Sequence, residues 1–189
     1  MRATVMRDGR LVVEEVAEPA PGPGMVLVET LACGICGSDL HALKHLDQMV
    51  DQSEQMGFPS DLHGDVVMGH EFSARVLELG PGASGVEPGD VVVSIPLVLT
   101  EKGPAAVGYS KSYPGGYGER MVLSSAFCTK VPEGVDPRHA ALTEPMAVGL
   151  HAVAKSGAQK GEGAIVIGCG PIGLAIIAGL RLKGSAERR

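Results

Sequence analysis

Residues 33–41 read Cys33-Gly34-Ile35-Cys36-Gly37-Ser38-Asp39-Leu40-His41, and residues 69–71 read Gly69-His70-Glu71. Both stretches lie among short valine-rich runs closed by glycine and proline, the pattern of an all-β unit over roughly the first 130 residues. The runs at 3–6, 11–15, 25–32, 66–79, 91–95 and 117–123 predict strands. Residues 19–24 are a breaker cluster, and Glu87-Pro88-Gly89-Asp90 is a turn into Val91. Residues 38–45 can form a short helix after the Cys36 turn. Residues 46–64 and 100–116 lack clear periodicity and read as a long loop and a second irregular stretch.

The polar residues in these stretches suit a metal. Zinc takes Cys, His and carboxylate ligands, and a catalytic zinc keeps one position open. Cys36, His70 and Glu144 can supply three protein ligands. If Cys36 opens a helical turn, Asp39 stands three residues on and shares its side. From there it can hold the ring nitrogen of His70 that does not bind metal, fixing the tautomer. Ser38 and His41, also three apart, share another side and can form a proton path to solvent.

Helical signals begin at Asp136-Pro137, an N-cap followed by proline at N1. A second helix opens at Thr143-Glu144-Pro145 and runs to about Lys155, with Glu144 at the end where the backbone dipole favours a carboxylate. Residues 164–167 read as a buried strand and 171–183 as a helix, joined by Gly168-Cys169-Gly170-Pro171-Ile172-Gly173. A G-x-G-x-x-G turn between strand and helix points at a dinucleotide pyrophosphate, so Gly168, Gly170, Pro171, Ile172 and Gly173 are the expected cofactor contacts. The acidic residue that separates NAD from NADP belongs about 20 residues later, at the end of a second strand that is not recognisable here.

Together these motifs resemble the zinc-dependent alcohol dehydrogenases of the medium-chain dehydrogenase/reductase superfamily. Gly115-Gly116-Tyr117-Gly118-Glu119 and residues 143–153 are similar to further landmarks, and all occur in family order. The resemblance implies a mixed β and α/β fold. A GroES-like, partly open β-barrel catalytic domain (1–156) would precede the first strand-turn-helix of a Rossmann domain (157–189, incomplete). It implies that Cys36 and His70 bind catalytic zinc and that Glu144 stands where the third ligand is found, as in the polyol and butanediol branches. Glu71 is the neighbouring carboxylate that can replace or supplement it. Ser38 and His41 fall at proton-relay positions, and Asp39 behind the zinc histidine. The implied reaction is hydride transfer between a secondary alcohol or polyol and NAD or NADP, with a small alcohol or ketone as partner and a homo-oligomer for the full chain. Two other readings stay open: a truncated zinc-binding relative without turnover, and a zinc-free quinone or enoyl reductase, against which Cys36, His70 and Glu144 argue.

The chain departs from the family in two places. Residues 91–117 hold no cysteine, so no structural zinc is expected. The tail Ser185-Ala186-Glu187-Arg188-Arg189 is similar to the segment after the second Rossmann strand in relatives, which suggests residues missing after Gly184.

Composition limits the rest. With 44% hydrophobic residues but only 3% aromatics and no Trp, the core must be aliphatic. A net charge of -6 gives no footprint for nucleic acid. The uncharged stretch 163–180 is broken by glycine and proline near its middle, against a membrane span. The charged N-terminus reads as no secretion signal, and four irregularly spaced cysteines suit a reducing cytoplasm.

Overall fold

The computed structural model describes residues 1–55 and 62–184. It divides into two compact units, Met1–Ala141 and a second beginning at Leu142. The sequence pattern instead places the start of the second domain at 157. The helix from Thr143 groups with the helix from Pro171, because the two pack closely on each other.

In the first unit, β1 (Arg2–Arg7) and β2 (Arg10–Glu15) form a hairpin. Asp8 and Gly9 both have positive φ, 49° and 75°, which matches the twist of a tight two-residue turn. The long strand β3 (Met25–Cys33) leads to α1 (Gly37–Lys44) and α2 (Leu46–Gln55). Next are β4 (Val66–Val67), β5 (Phe72–Leu79), β6 (Val91–Ser94) and a hairpin of β7 (Leu97–Thr100) with β8 (Gly103–Ala106). Then come β9 (Arg120–Ser124), β10 (Cys128–Lys130) and α3 (Pro137–Ala140), whose N-cap is Asp136.

An antiparallel sheet in the order β10-β6-β5-β3-β9 carries the core, and β4 joins β1 and β2 in a separate sheet. Val26, Val28, Val76, Val92, Met121 and Leu123 are fully buried between its strands and the flanking loops. Each such side chain stabilises by about 1.5–3 kcal/mol relative to exposure. This is the aliphatic core that the composition demanded.

Several elements differ from the sequence reading. The expected strand 66–79 is two strands in two sheets, because Gly69 at φ +99° turns the chain between them. The strand expected at 117–123 begins only at Arg120. Residues 46–55 are helical rather than loop, their polar side chains masking an amphipathic period, while the rest of that expected loop extends into residues outside those described. The hairpin β7–β8 occupies part of the stretch read as irregular.

The second unit consists of α4 (Thr143–Lys155) and α5 (Pro171–Lys183). The strand expected at 164–167 forms no ladder among the described residues, and Ile165 and Ile167 are 92% and 97% exposed. A parallel strand of this kind needs neighbours on both sides, and none of the described strands supplies one. The tail reading falls on 185–189, outside the described residues. Among those residues no helix is long and apolar enough to cross a membrane.

The helices α4 and α5 meet through glycine. A Cβ at Gly149 would lie 2.5 Å from Ala175 Cβ, and one at Gly179 would lie 3.0 Å from Leu150 Cδ2. Gly149→Val should therefore force the helices apart and destabilise the pair by about 1–3 kcal/mol, the cost of overpacking. Hydrogen exchange should speed up in α4 and α5 while β3 and β5 keep their protection. Unchanged exchange in the helices would contradict the close approach.

Candidate metal centre

The site forms where two strands end side by side. Cys33, the last residue of β3, pairs with Phe72, the first of β5. Beyond that pair the Gly34 N–H donates to the Glu71 carbonyl at 2.7 Å. The ladder thus delivers Gly34-Ile35-Cys36 from one strand and Gly69-His70-Glu71 from the other to the same edge. Gly69 has a left-handed φ, and a Cβ there would also meet the Tyr117 ring and Cys33 Sγ. A Cβ at Gly34 would meet the Glu71 carboxylate and displace it.

Cys36 Sγ, a His70 ring nitrogen and a Glu71 carboxylate oxygen lie within 4.8 Å of one another. A tetrahedral zinc with bonds of about 2.0–2.3 Å separates its ligands by about 3.5 Å, so small side-chain rotations bring the set to coordination distance. One soft thiolate, one imidazole and one carboxylate form a donor set that zinc accepts. His70 and Glu71 are both buried.

Behind this set lies Asp39, only 1% exposed, at the third position of α1. Its Oδ2 accepts from the Cys36 backbone N–H at 3.0 Å and from Tyr117 Oη at 2.8 Å. Its Oδ1 accepts from Tyr109 Oη at 2.9 Å and lies 3.4 Å from His70 Nδ1. Burial alone pushes the Asp39 carboxyl up. Hydrogen bonds from His70 and Tyr117, attraction to His70, and the Tyr109 bond outweigh it and hold the carboxyl below its usual range. Ser38 Oγ is 2.8 Å from Tyr109 Oη. Tyr109 has one hydroxyl proton and an ionised carboxylate can only accept, so Ser38 donates to Tyr109 and Tyr109 to Asp39.

Cys36, His70 and Glu71 thus lie together, with Asp39 against His70. His41 lies in the last turn of α1 with its ring 4.8 Å from that of His45. Cys33 is not among the converging ligand atoms. Burial, then the charges of Asp39 and Glu71, push its thiol up to about 12. Tyr109 and Tyr117 escape sequence reasoning, because residue 109 lies in a stretch with no period and Tyr117 reads as strand. Burial, reinforced by Asp39, holds both phenols above their ordinary range.

The second unit holds the other expected residues. Glu144, half-buried, lies in the first turn of α4. Gly168 has φ +104°, Gly170 is the N-cap of α5 and Pro171 is at its start, followed by Ile172. A Cβ at Gly173 would strike the Gly168 carbonyl, so the turn closes only with glycine there.

Residues 22–133 match the alcohol dehydrogenase GroES-like domain. The chain belongs to that family. It is 33% identical over 183 residues to (R,R)-butanediol dehydrogenase of Bacillus subtilis (strain 168), covering 93% of this chain and 53% of that one. It is 32% identical over 179 residues to sorbitol dehydrogenase of Halalkalibacterium halodurans, covering 88% and 48%. The crystal structure of 2R,3R-butanediol dehydrogenase from Bacillus subtilis superposes with a TM-score of 0.79 at 30% identity, covering 97% of this chain and 55% of that one. The chain thus spans about half the length of the curated relatives it matches. The fold class read from the motifs, a GroES-like β unit followed by the start of a Rossmann unit, agrees with this family and its structural neighbours.

The electrostatics lead to two measurements. The folded-state pKa of Asp39 lies below its unfolded value of about 3.9. Its contribution to stability is thus present above that value and is lost as pH falls through the folded one. Urea denaturation below about pH 4 should show a steeper acid limb for the metal-free wild type than for Asp39→Asn. Parallel limbs would contradict the assignment. Separately, iodoacetamide at pH 8 should label exposed Cys169 readily and leave Cys33 largely unmodified in the folded chain. Equal labelling of the two would contradict the burial of Cys33.

Proposed function

We propose that this chain is the catalytic part of a zinc-dependent, NAD(P)-linked dehydrogenase acting on a secondary alcohol or polyol. The observation that carries the reading is the convergence of Cys36, His70 and Glu71 with Asp39 behind the histidine. The names of the relatives, butanediol and sorbitol dehydrogenases, support the substrate class. Zinc would supply Lewis acidity toward the alcohol oxygen, and the nicotinamide would supply the hydride acceptor.

The chain's own residues do the rest. Cys36, His70 and Glu71 hold a single catalytic zinc, with Glu144 as a further or water-mediated carboxylate. Asp39 fixes the His70 tautomer so that Nε2 faces the metal. For transfer the Ser38 hydroxyl turns away from Tyr109, takes the alcohol proton and releases its own toward His41 and solvent. Gly168, Gly170, Pro171, Ile172 and Gly173 receive the cofactor pyrophosphate at the start of α5. The first domain is read as 1–156 and the dinucleotide domain as beginning at 157. A homo-oligomer in the cytoplasm, with no nucleic-acid or membrane partner, completes the proposal. A zinc-free reductase would leave a buried Glu71 carboxylate beside Cys36 with no cation to offset it, which weighs against that reading.

Metal analysis tests the centre. After dialysis against a weak chelator the chain should retain one zinc. Cys36→Ser and His70→Ala should lose it, and Glu71→Gln should hold it less tightly than Glu144→Gln does. Two zincs per chain, or one that survives the loss of Cys36 and His70, would overturn the assignment.

A further inference from the structure

We propose that Tyr109 and Tyr117 are positioning residues of the metal centre, two phenol donors that clamp Asp39 so that its carboxylate holds Cys36 and His70 together. The inference rests on the reading of Cys36, His70 and Glu71 as zinc ligands.

Asp39 serves two ligands at once. Oδ2 takes the backbone N–H of Cys36, and Oδ1 faces His70 Nδ1. A free carboxylate could turn about its terminal torsion, which is broad and only weakly restrained, and lose one ligand while keeping the other. The tyrosines prevent this by donating one to each oxygen, at 2.8 and 2.9 Å. Three hydrogen bonds and the His70 ring 3.4 Å away fix the orientation of the carboxylate.

The phenols are themselves held by the strand junction that carries His70. Gly115 N–H donates to Val67 O, Gly116 N–H to Gly69 O and Tyr117 N–H to Met68 O. A Cβ at Gly115 would strike the carbonyls of Met68 and Gly69, so the two backbones are in direct contact. The Tyr109 ring lies beside the imidazole of His70, with centroids 5.2 Å apart. The tyrosine segment and the ligand segment therefore move as one. Each phenol has a hydroxyl proton to give, and the ionised carboxylate can only accept it. Tyr109 has a second effect: by accepting a hydrogen bond from the Ser38 hydroxyl it leaves the Ser38 lone pairs available as acceptors.

The test is metal affinity of the full chain, with cobalt(II) as the probe and a chromophoric chelator as competitor. Tyr109→Phe and Tyr117→Phe keep the rings and remove only the hydroxyls. Each should weaken binding about 10–100-fold, the usual effect of losing a partner behind a ligand. Each should also shift the thiolate-to-cobalt charge-transfer band, which a general loss of stability would not do. Tyr113→Phe, which removes a hydroxyl from the same segment outside the site, should change neither. Wild-type affinity and an unshifted band in both variants would overturn the clamp and leave the zinc reading intact. A wild-type chain that binds no cobalt would overturn both. A measurement on the unaltered chain keeps the proposal falsifiable if the variants do not fold. Among the three tyrosines the Raman doublet should report one strong donor, Tyr117, and one phenol that both donates and accepts, Tyr109, and purely acceptor-type doublets would overturn the clamp.

Discussion

The Asp39 carboxylate is the interaction on which the centre depends. It is almost wholly buried, and a buried charge persists only when it is paired and hydrogen-bonded. Here its partners are the backbone of one candidate ligand, the ring of another and two phenols. The carboxylate draws on α1, on the junction between β4 and β5, and on the segment before β9. A single ionised group thus joins three stretches far apart in sequence and brings a thiol, an imidazole and a second carboxylate to one point.

The backbone makes that arrangement possible. Between Val67 and Phe72 the chain leaves the sheet of β1 and enters that of β3. A strand that changes sheets must turn, and the turn brings to one side the side chains that a continuous ladder would have alternated across its faces. Gly69 permits the turn, Gly115 lets a neighbouring backbone approach it directly, and Gly34 and Gly116 leave room for the Glu71, Cys33 and Phe72 side chains. The glycine abundance that first reads as turn punctuation serves in these four places as packing.

Much of the site is legible in the sequence because it rests on local spacing. Cys36 and Asp39 stand three apart at a helix start, and that geometry comes from the helix alone. The glycine turn before α5 is legible for the same reason. The second unit's strand is not, because a ladder depends on neighbours that local pattern cannot supply. Val66 to Leu79 reads as one apolar run, and only its partners in two sheets divide it. Tyr109 and Tyr117 stay hidden because their role depends on a contact with Asp39 across about seventy residues or more. Glu71 enters only through family resemblance, since a carboxylate directly after a histidine would alternate to the opposite face in a regular strand.

The ligand set itself is the central claim, and zinc K-edge X-ray absorption on the zinc-loaded chain measures it directly. The expected shell holds one sulfur at about 2.3 Å with the remaining ligands nitrogen or oxygen at about 2.0–2.2 Å. Two sulfurs would mean that Cys33 also binds and that its protonated, buried state is wrong. A shell without sulfur would remove Cys36 from the metal, and with it the role assigned to Asp39 in holding the site together.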